Sequence, residues 1–345
     1  MNRAVGMFVT AVPGLAELAT RELDGTDGVR AVGSGFDGRS DLVLLDIDRG
    51  GHGAVLGSRL VEDVFVEVGR TRRADGDRSA AIAGRLWRPE QVERALSVWA
   101  RNGGALRAAL GFRVIARVLD ERSFRRTDLR RDVTAAISRD RPRWRPADPA
   151  PLEVWVTEYR AGSFVAGLRL TDERMRQHDG REVERAGALR PTVAAALVGL
   201  AGEPDGLLLD PCCGSGTILA EAVAVGWAAR GGDIDAEAVE IARTNVPSAR
   251  VQVADARRLD LDDGTAGACV SNLPFGQQFR VPGGMDRWLG DVLAEMARVT
   301  RAGGRVVVLA PSMPAAVVPA ALRPVERSRI RLLGTPTTVW VFQRR

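Results

Sequence analysis

This chain contains no lysine: all 49 of its basic side chains are arginine. A GC-rich codon bias is the plain account, yet the physical consequence stands. Every cationic contact must use a guanidinium, which forks onto phosphate oxygens and stacks on bases. Cysteine and histidine are scarce too, at three and two residues. Cys212, Cys213 and Cys269 form no Cys-x-x-Cys pair, so no metal site is expected, and the setting is expected to be reducing and cytoplasmic. No apolar run is long enough to span a bilayer, and Met7-Phe8-Val9 is too short for a secretion signal, so no membrane partner is expected.

What is present suits globular domains: 345 residues, 45% of them hydrophobic, bound the chain at two or three domains. Residues 1–70 alternate strand-like runs (7–11, 29–32, 41–46, 61–68) with two helical stretches, one opened by Pro13-Gly14 and one over 54–60. The order β-α-β-β-α-β predicts a ferredoxin-like unit. In residues 71–170 helices are predicted over 89–100 and 128–138, a strand over 112–119, and a hairpin from 152–159 and 163–170. Thr127 or Asp128 is the expected cap of the second helix, with Leu129, Val133 and Ile137 on its buried stripe. Charges dominate 171–187 with no apolar period, which predicts a linker with His178 as a polar linker residue.

From residue 188 the pattern changes. Short apolar strands (207–209, 228–231, 250–253, 267–271, 305–309) alternate with helices, and two further strands (328–333, 338–343) close the chain. That predicts an α/β domain with a mostly parallel sheet covered on both faces.

Charge is concentrated. Between Arg122 and Arg145 nine arginines stand against three acids. Such a patch is the electrostatic footprint of a phosphate backbone, and Arg125, Arg126, Arg130 and Arg131 are the expected RNA-binding residues. The competing reading is a solvated helix face.

The chemistry concentrates at predicted strand ends, where a parallel sheet binds its ligands. Asp210, Asp233, Asp255 and Asn272 occupy four of them. Gly214 and Gly216 let the chain turn tightly and bring backbone N–H groups to a ligand. The third glycine of a dinucleotide turn is missing, and Asp210 would repel a pyrophosphate while suiting a cation that carries ammonium and sulfonium groups, as S-adenosylmethionine does. Asp233 would then accept from ribose hydroxyls, with Asp235 either sharing that role or capping the next helix, and Asp255 would accept from the adenine amine or cap a turn. Asn272-Leu273-Pro274-Phe275 fits the acceptor side. An exocyclic amine is a poor nucleophile because its lone pair is delocalised into the ring. Acceptors aimed at its hydrogens favour the tetrahedral nitrogen that attack requires, and Asn272 Oδ1 with the Leu273 carbonyl form the natural pair. Pro274 stiffens the turn, and Phe275 offers a face for a flipped base.

These residues resemble the Rossmann-like methyltransferases of exocyclic base amines, whose Asn-Pro-Pro-Tyr/Phe motif matches Asn272–Phe275 with Leu273 departing from the commoner proline. Pro13-Gly14-Leu15, Phe124-Arg125-Arg126 and Leu189-Arg190-Pro191-Thr192 are similar to the THUMP arrangement of RNA methyltransferases, and the chain as a whole looks like a TrmN-like tRNA guanine-N2 methyltransferase. The resemblance implies a ferredoxin-like unit (1–70), a THUMP RNA-binding domain (71–170), a linker (171–187) and a Rossmann-like methyltransferase domain (188–345). It implies a cofactor set of Asp210, Cys212, Gly214, Ser215, Gly216, Thr217, Asp233, Ile234, Asp255, Ala256 and Asn272 around S-adenosyl-L-methionine. It also implies tRNA as partner, held by its acceptor stem and 3′ end, with N2-methylguanosine at position 6 as product. Other RNA sites, an adenine-N6 DNA methyltransferase, and a non-catalytic RNA-binding protein with a relic cofactor domain remain alternatives.

Overall fold

A computed structural model of the chain describes residues 5–48, 51–72, 74, 77–119, 123–172, 175, 177, 178, 183, 187–274, 284–332 and 334–345. The chain forms two compact units, Met1–Met175 and Arg176–Arg345, and their boundary falls in the stretch expected as a linker.

The first unit begins β1 (Val5–Ala11), α1 (Ala16–Asp24), β2 (Val29–Phe36), β3 (Asp41–Ile47), α2 (His52–Gly57) and β4 (Asp63–Thr71). These strands pair antiparallel in the order β2-β3-β1-β4, the pairing that a β-α-β-β-α-β chain adopts in a ferredoxin-like unit. There follow α3 (Ser79–Leu86), α4 (Pro89–Arg101), β5 (Gly111–Arg117), α5 (Arg126–Asp140), β6 (Arg145–Pro146), β7 (Leu152–Arg160) and β8 (Ser163–Arg169). Because β8 pairs antiparallel with β4, one eight-stranded sheet, β2-β3-β1-β4-β8-β7-β5-β6, continues across the boundary expected at residue 70. Leu42 to Leu45 of β3 are all buried, as an internal strand covered on both faces requires. One core gathers Leu96, Phe112, Leu129 and Ile137; a second holds Phe8 stacked on Phe65, ring centroids 4.5 Å apart.

Two local expectations change here. Helix α3 was not expected, because it is an octet with a glycine and only two large apolar side chains; Ile82, Ala83 and Leu86 bury it against the core, and Ser79 Oγ donates to Asp132 at 2.5 Å. Helix α5 begins earlier than expected, with Arg125 at the N-cap rather than Thr127 or Asp128. Asp128 instead accepts the Arg125 N–H from inside the first turn at 2.9 Å.

The second unit contains α6 (Pro191–Ala201), β9 (Leu207–Asp210), α7 (Thr217–Ala224), β10 (Ala228–Asp233), α8 (Ala236–Asn245), β11 (Arg250–Val253), β12 (Ala266–Asn272), α9 (Met285–Val299), β13 (Thr300–Ala310), β14 (Leu322–Leu332) and β15 (Thr335–Arg344). Its sheet has the order β11-β10-β9-β12-β13-β15-β14. The first five strands are parallel, and β15 runs antiparallel to both β13 and β14. Order reverses between β9 and β12, which opens a crevice beyond their carboxyl ends. The strand expected over 305–309 starts at Thr300: the ladder steps from Ala266–Thr300 to Ala268–Arg305, and Gly303 at φ +78° absorbs the extra residues. A buried cluster around Leu293, Met296, Val306 and Phe342 anchors α9 to this sheet.

Candidate active site

The loop after β9 is a compact turn. Gly214 and Gly216 lie at φ +52° and +85°, in the left-handed region where a side chain is strained. The Cys213 N–H donates to the Gly232 carbonyl at 2.9 Å and the Gly216 N–H to the Cys213 carbonyl at 2.8 Å, which closes the turn onto β10. A Cβ at Gly216 would come within 3.2 Å of Val246 Cγ2, so α8 needs glycine there; a Cβ at Gly214 would meet nothing within 4 Å. The loop is therefore tight on its protein side and open at Gly214. Ser215 and Thr217 are buried, Thr217 as the first residue of α7.

Asp210 ends β9 and is 1% exposed. Its Oδ1 accepts from Ser271 Oγ at 2.6 Å and from the Cys212 N–H at 3.1 Å. Burial pushes its carboxyl up to about 7; those two donors oppose the shift, and the negative charge of Asp233 adds to it. Burial and the same carboxylates also push up the thiols of Cys212 and Cys213, and burial takes Cys269 up to about 12. All three therefore stay neutral thiols, poor nucleophiles and poor metal ligands. No metal-binding cluster occurs among the described residues.

Asp233 ends β10 and holds the loop: its Oδ2 accepts the Gly214 N–H at 2.8 Å, and its Oδ1 the Asp235 N–H at 3.0 Å. Asp235 is the N-cap of α8, accepting from the Glu237 N–H at 2.9 Å. Of its two expected roles the structure therefore shows the cap. Ile234 between them is 75% exposed, an aliphatic face left uncovered beside the loop. Asp255 follows β11 and is engaged twice by Arg257, through its N–H at 2.9 Å and its guanidinium at 2.6 Å, which holds the carboxyl below the ordinary range. Its turn-cap reading is thus the one the geometry displays. Ala256 beside it is buried.

Asn272 is the last residue of β12 rather than the first beyond it. Its Oδ1 is buried with no hydrogen-bond partner among the described residues. Leaving a buried acceptor unpaired costs about 1–3 kcal/mol, and no described residue supplies a donor to this oxygen. Leu273 is 1% exposed and its N–H donates to the Leu309 carbonyl at 3.2 Å, which fixes the backbone leaving the strand. Pro274 is half-buried. Phe275 and the rest of 275–283 lie outside the described residues.

Arg125, Arg126, Arg130 and Arg131, in the first unit, are all exposed at the start of α5. Arg131 pairs with Asp128 and Asp132; the other three make no ion pair among the described residues.

Four residues near this site carried no signal in the sequence. Ser271 bridges β12 to Asp210. Asn245, at the end of α8, donates to the Ser215 carbonyl at 3.0 Å and clasps the Val183 backbone through its own amide oxygen and nitrogen. His178 is not a solvated linker residue. Its side chain is buried at φ +50°, with Nδ1 2.8 Å from Oε1 of Glu221, itself 2% exposed on α7. The segment before α6 is thus tied to the loop and helix that follow β9. The signal in retrospect is a histidine in a charged stretch and a lone buried acid in α7, a pairing that no spacing rule predicts.

Comparison with known proteins agrees with this geometry. Residues 178–332 match the family described as UPF0020, RMKL-like, methyltransferase domain. The structure of TrmN from Thermus thermophilus superposes with a TM-score of 0.78 at 25% identity, covering 99% of this chain and 100% of that one. The U6 snRNA (guanine-N(2))-methyltransferase THUMPD2 of Mus musculus is 35% identical over 137 residues, 37% of this chain and 25% of that protein. The tRNA (guanine(10)-N2)-dimethyltransferase of Methanothermobacter thermautotrophicus is 34% identical over 130 residues, 36% of this chain and 38% of that protein. The chain thus spans well under half the length of these two curated relatives.

Proposed function

We propose that this chain, whose residues 178–332 match the RMKL-like methyltransferase domain, is an enzyme that methylates the exocyclic N2 amine of a guanosine in RNA. Its methyl donor is S-adenosylmethionine and its substrate tRNA, with position 6 of the acceptor stem as the target. The observation that carries this reading is Asn272 Oδ1, a buried acceptor with no donor among the described residues, at the crevice between β9 and β12. The guanine-N2 activities named for the sequence relatives favour guanine N2 over adenine N6.

The residues fit the donor. Gly214 leaves open space at the loop, Asp210 offers a buried carboxylate for an ammonium, Asp233 sits where ribose hydroxyls would lie, and Ile234 exposes an aliphatic face for a planar base. Bound there, the donor supplies an electrophilic methyl on its sulfonium. Asn272 Oδ1 accepts one hydrogen of the guanine amine, and the Leu273 carbonyl accepts the other. Holding both directs the nitrogen lone pair at the methyl and favours the tetrahedral nitrogen that attack requires. The proton leaves after or late in transfer, so no carboxylate base is needed. Burial of the Asn272 Oδ1 atom keeps that acceptor out of bulk water, where its dipole would count for less.

The test is Asn272→Ala. Methyl transfer to tRNA is expected to fall by roughly a hundredfold or more, while calorimetry with S-adenosylmethionine retains near-native affinity. Full activity in the variant would sink the mechanism. Mass-spectrometric mapping of the product fixes the nucleotide; methylation of duplex DNA and not of tRNA, or of another RNA at guanine N2, would replace the tRNA assignment. No binding of S-adenosylmethionine at all would point to a relic cofactor domain.

A further inference from the structure

The edge strand β14 carries arginine at three successive outward positions. Arg327, Arg329 and Arg331 are exposed and make no ion pair among the described residues, while the strand's one acid, Glu326, falls on the alternate side. Arg327 stacks over Trp340 of β15, its guanidinium carbon 5.6 Å from the ring centroid, and Trp340 is fixed in turn by donating Nε1–H to the Ala310 carbonyl at 3.1 Å. The stripe therefore starts from a positioned guanidinium.

Strand registers place it relative to the site. Ser271, next to Asn272, pairs with Val308, Val308 with Trp340, and Trp340 with Arg327. Arg327 thus lies three strand spacings across the sheet from the end of β12, about 14 Å at the usual separation. Strand β14 runs parallel to β12, so Arg329 and Arg331 continue from that row toward the carboxyl edge where the loop and Asn272 lie. Alternate residues of a strand are about 7 Å apart, a repeat commensurate with successive phosphates of one nucleic-acid strand. Guanidinium groups at that spacing can each fork onto a phosphate.

We propose that Arg327, Arg329 and Arg331 form a phosphate track that holds the RNA strand flanking the nucleotide bound at Asn272. This rests on the RNA-methyltransferase reading above and adds to it a surface within the catalytic unit itself. Charges on an edge strand also deter edge-to-edge aggregation, but deterrence is indifferent to sign and needs neither a stacked anchor nor a run of one charge that reaches the carboxyl edge of the sheet.

The experiment uses Arg329→Gln/Arg331→Gln in the full chain, which leaves the Arg327–Trp340 stack in place. Binding of unfractionated tRNA is measured against salt without cofactor, and methyl transfer is measured separately. Loss of two phosphate contacts lowers the slope of log affinity against log salt by about 1.4. The KM for RNA is expected to rise roughly tenfold with kcat near native, and calorimetry with S-adenosylmethionine and the melting temperature remain unchanged. An unchanged slope and KM overturn the track, as does an altered aggregation state with native RNA affinity, which would leave edge protection as its role. The two readings separate: a protein that binds RNA with a stripe-dependent slope but transfers no methyl keeps the track and sinks the proposed activity, whereas one that methylates tRNA with a slope indifferent to the stripe does the reverse. A charge-reversed Arg329→Glu, expected to lower affinity further than glutamine does, checks that the effect is electrostatic.

Discussion

Asp210→Asn is expected to make the protein more stable and unable to use its cofactor, and the stability gain is expected to depend on pH. The carboxyl stands at about 7 in the folded protein because it is 1% exposed and sees Asp233, against about 3.9 in an unfolded chain. A raised carboxyl favours the fold fully below the unfolded value and loses that advantage as pH rises through the folded one. The shift of about three units amounts to about 4 kcal/mol, all of it felt above pH 7 and about 1.5 kcal/mol of it already at pH 5. Asparagine carries no charge to desolvate, and its Oδ1 can still accept from Ser271 Oγ and the Cys212 N–H, the two bonds that Asp210 makes. The variant should therefore gain up to about 3 kcal/mol more at pH 8 than at pH 5. At about 2–4 °C per kcal/mol for a domain of this size, that is a difference of roughly 6–12 °C between the two melting shifts. Calorimetric scans of the cofactor-free protein at both pH values measure it. The same substitution removes the negative charge proposed to meet the cofactor's ammonium, so S-adenosylmethionine binding should weaken and lose its dependence on pH, whereas the native protein should lose affinity as pH falls below 7. A melting shift that is equal at pH 5 and pH 8, or a destabilised variant at both, would refute the account of Asp210 as a desolvated carboxylate.

Three further outcomes follow from the geometry. Asp235→Ala should cost about 1 kcal/mol through loss of the α8 cap with little change in calorimetric cofactor affinity, whereas Asp233→Ala, which frees the Gly214 N–H, should weaken that affinity strongly; equal affinity losses would mean that both acids meet the ligand. Gly216→Ala should destabilise by roughly 1–2 kcal/mol from its left-handed backbone and by its 3.2 Å approach to Val246, read as a lower melting temperature together with weaker cofactor binding. Neutralising Arg125, Arg126, Arg130 and Arg131 together should weaken tRNA binding and flatten its salt dependence; unchanged affinity would make the cluster at the start of α5 a solvated face.

Much of the fold was legible because its signals are local. The β-α-β-β-α-β order of residues 1–70 could be read from alternation, and the parallel strands of the second unit from short apolar runs that end in polar residues. What was missed depends on contacts between distant segments. Helix α3 has only a two-turn stripe of Ser79, Ile82, Ala83 and Leu86, of which two residues are large and apolar, and it is fixed by the core that accepts Ile82 and Leu86. The continuity of the first sheet rests on β4 pairing with β8, about a hundred residues away in the chain. His178 reads as a linker residue among charges, and only the fold brings Glu221 to it. The acids were legible as positions and the cap readings of Asp235 and Asp255 were legible too: Asp235 caps α8 and Asp255 is held by Arg257, each through a donor within two residues.

The two polar groups at the ends of β9 and β12 are each held at a cost to the fold. Asp210 is buried beside another carboxylate, and Asn272 keeps a buried oxygen with no donor among the described residues. Either defect alone could be removed by a single substitution to an apolar or neutral residue, with a gain in stability. The two lie at the ends of adjacent strands, and Ser271, which precedes Asn272, donates to Asp210 at 2.6 Å; in the function proposed above, a cation would meet the carboxylate and an amine hydrogen the amide oxygen. A methyl donor with an ammonium group and a base with an exocyclic amine would supply those two, so the proposed reaction rests on this pair of groups more than on the glycine turn that follows β9.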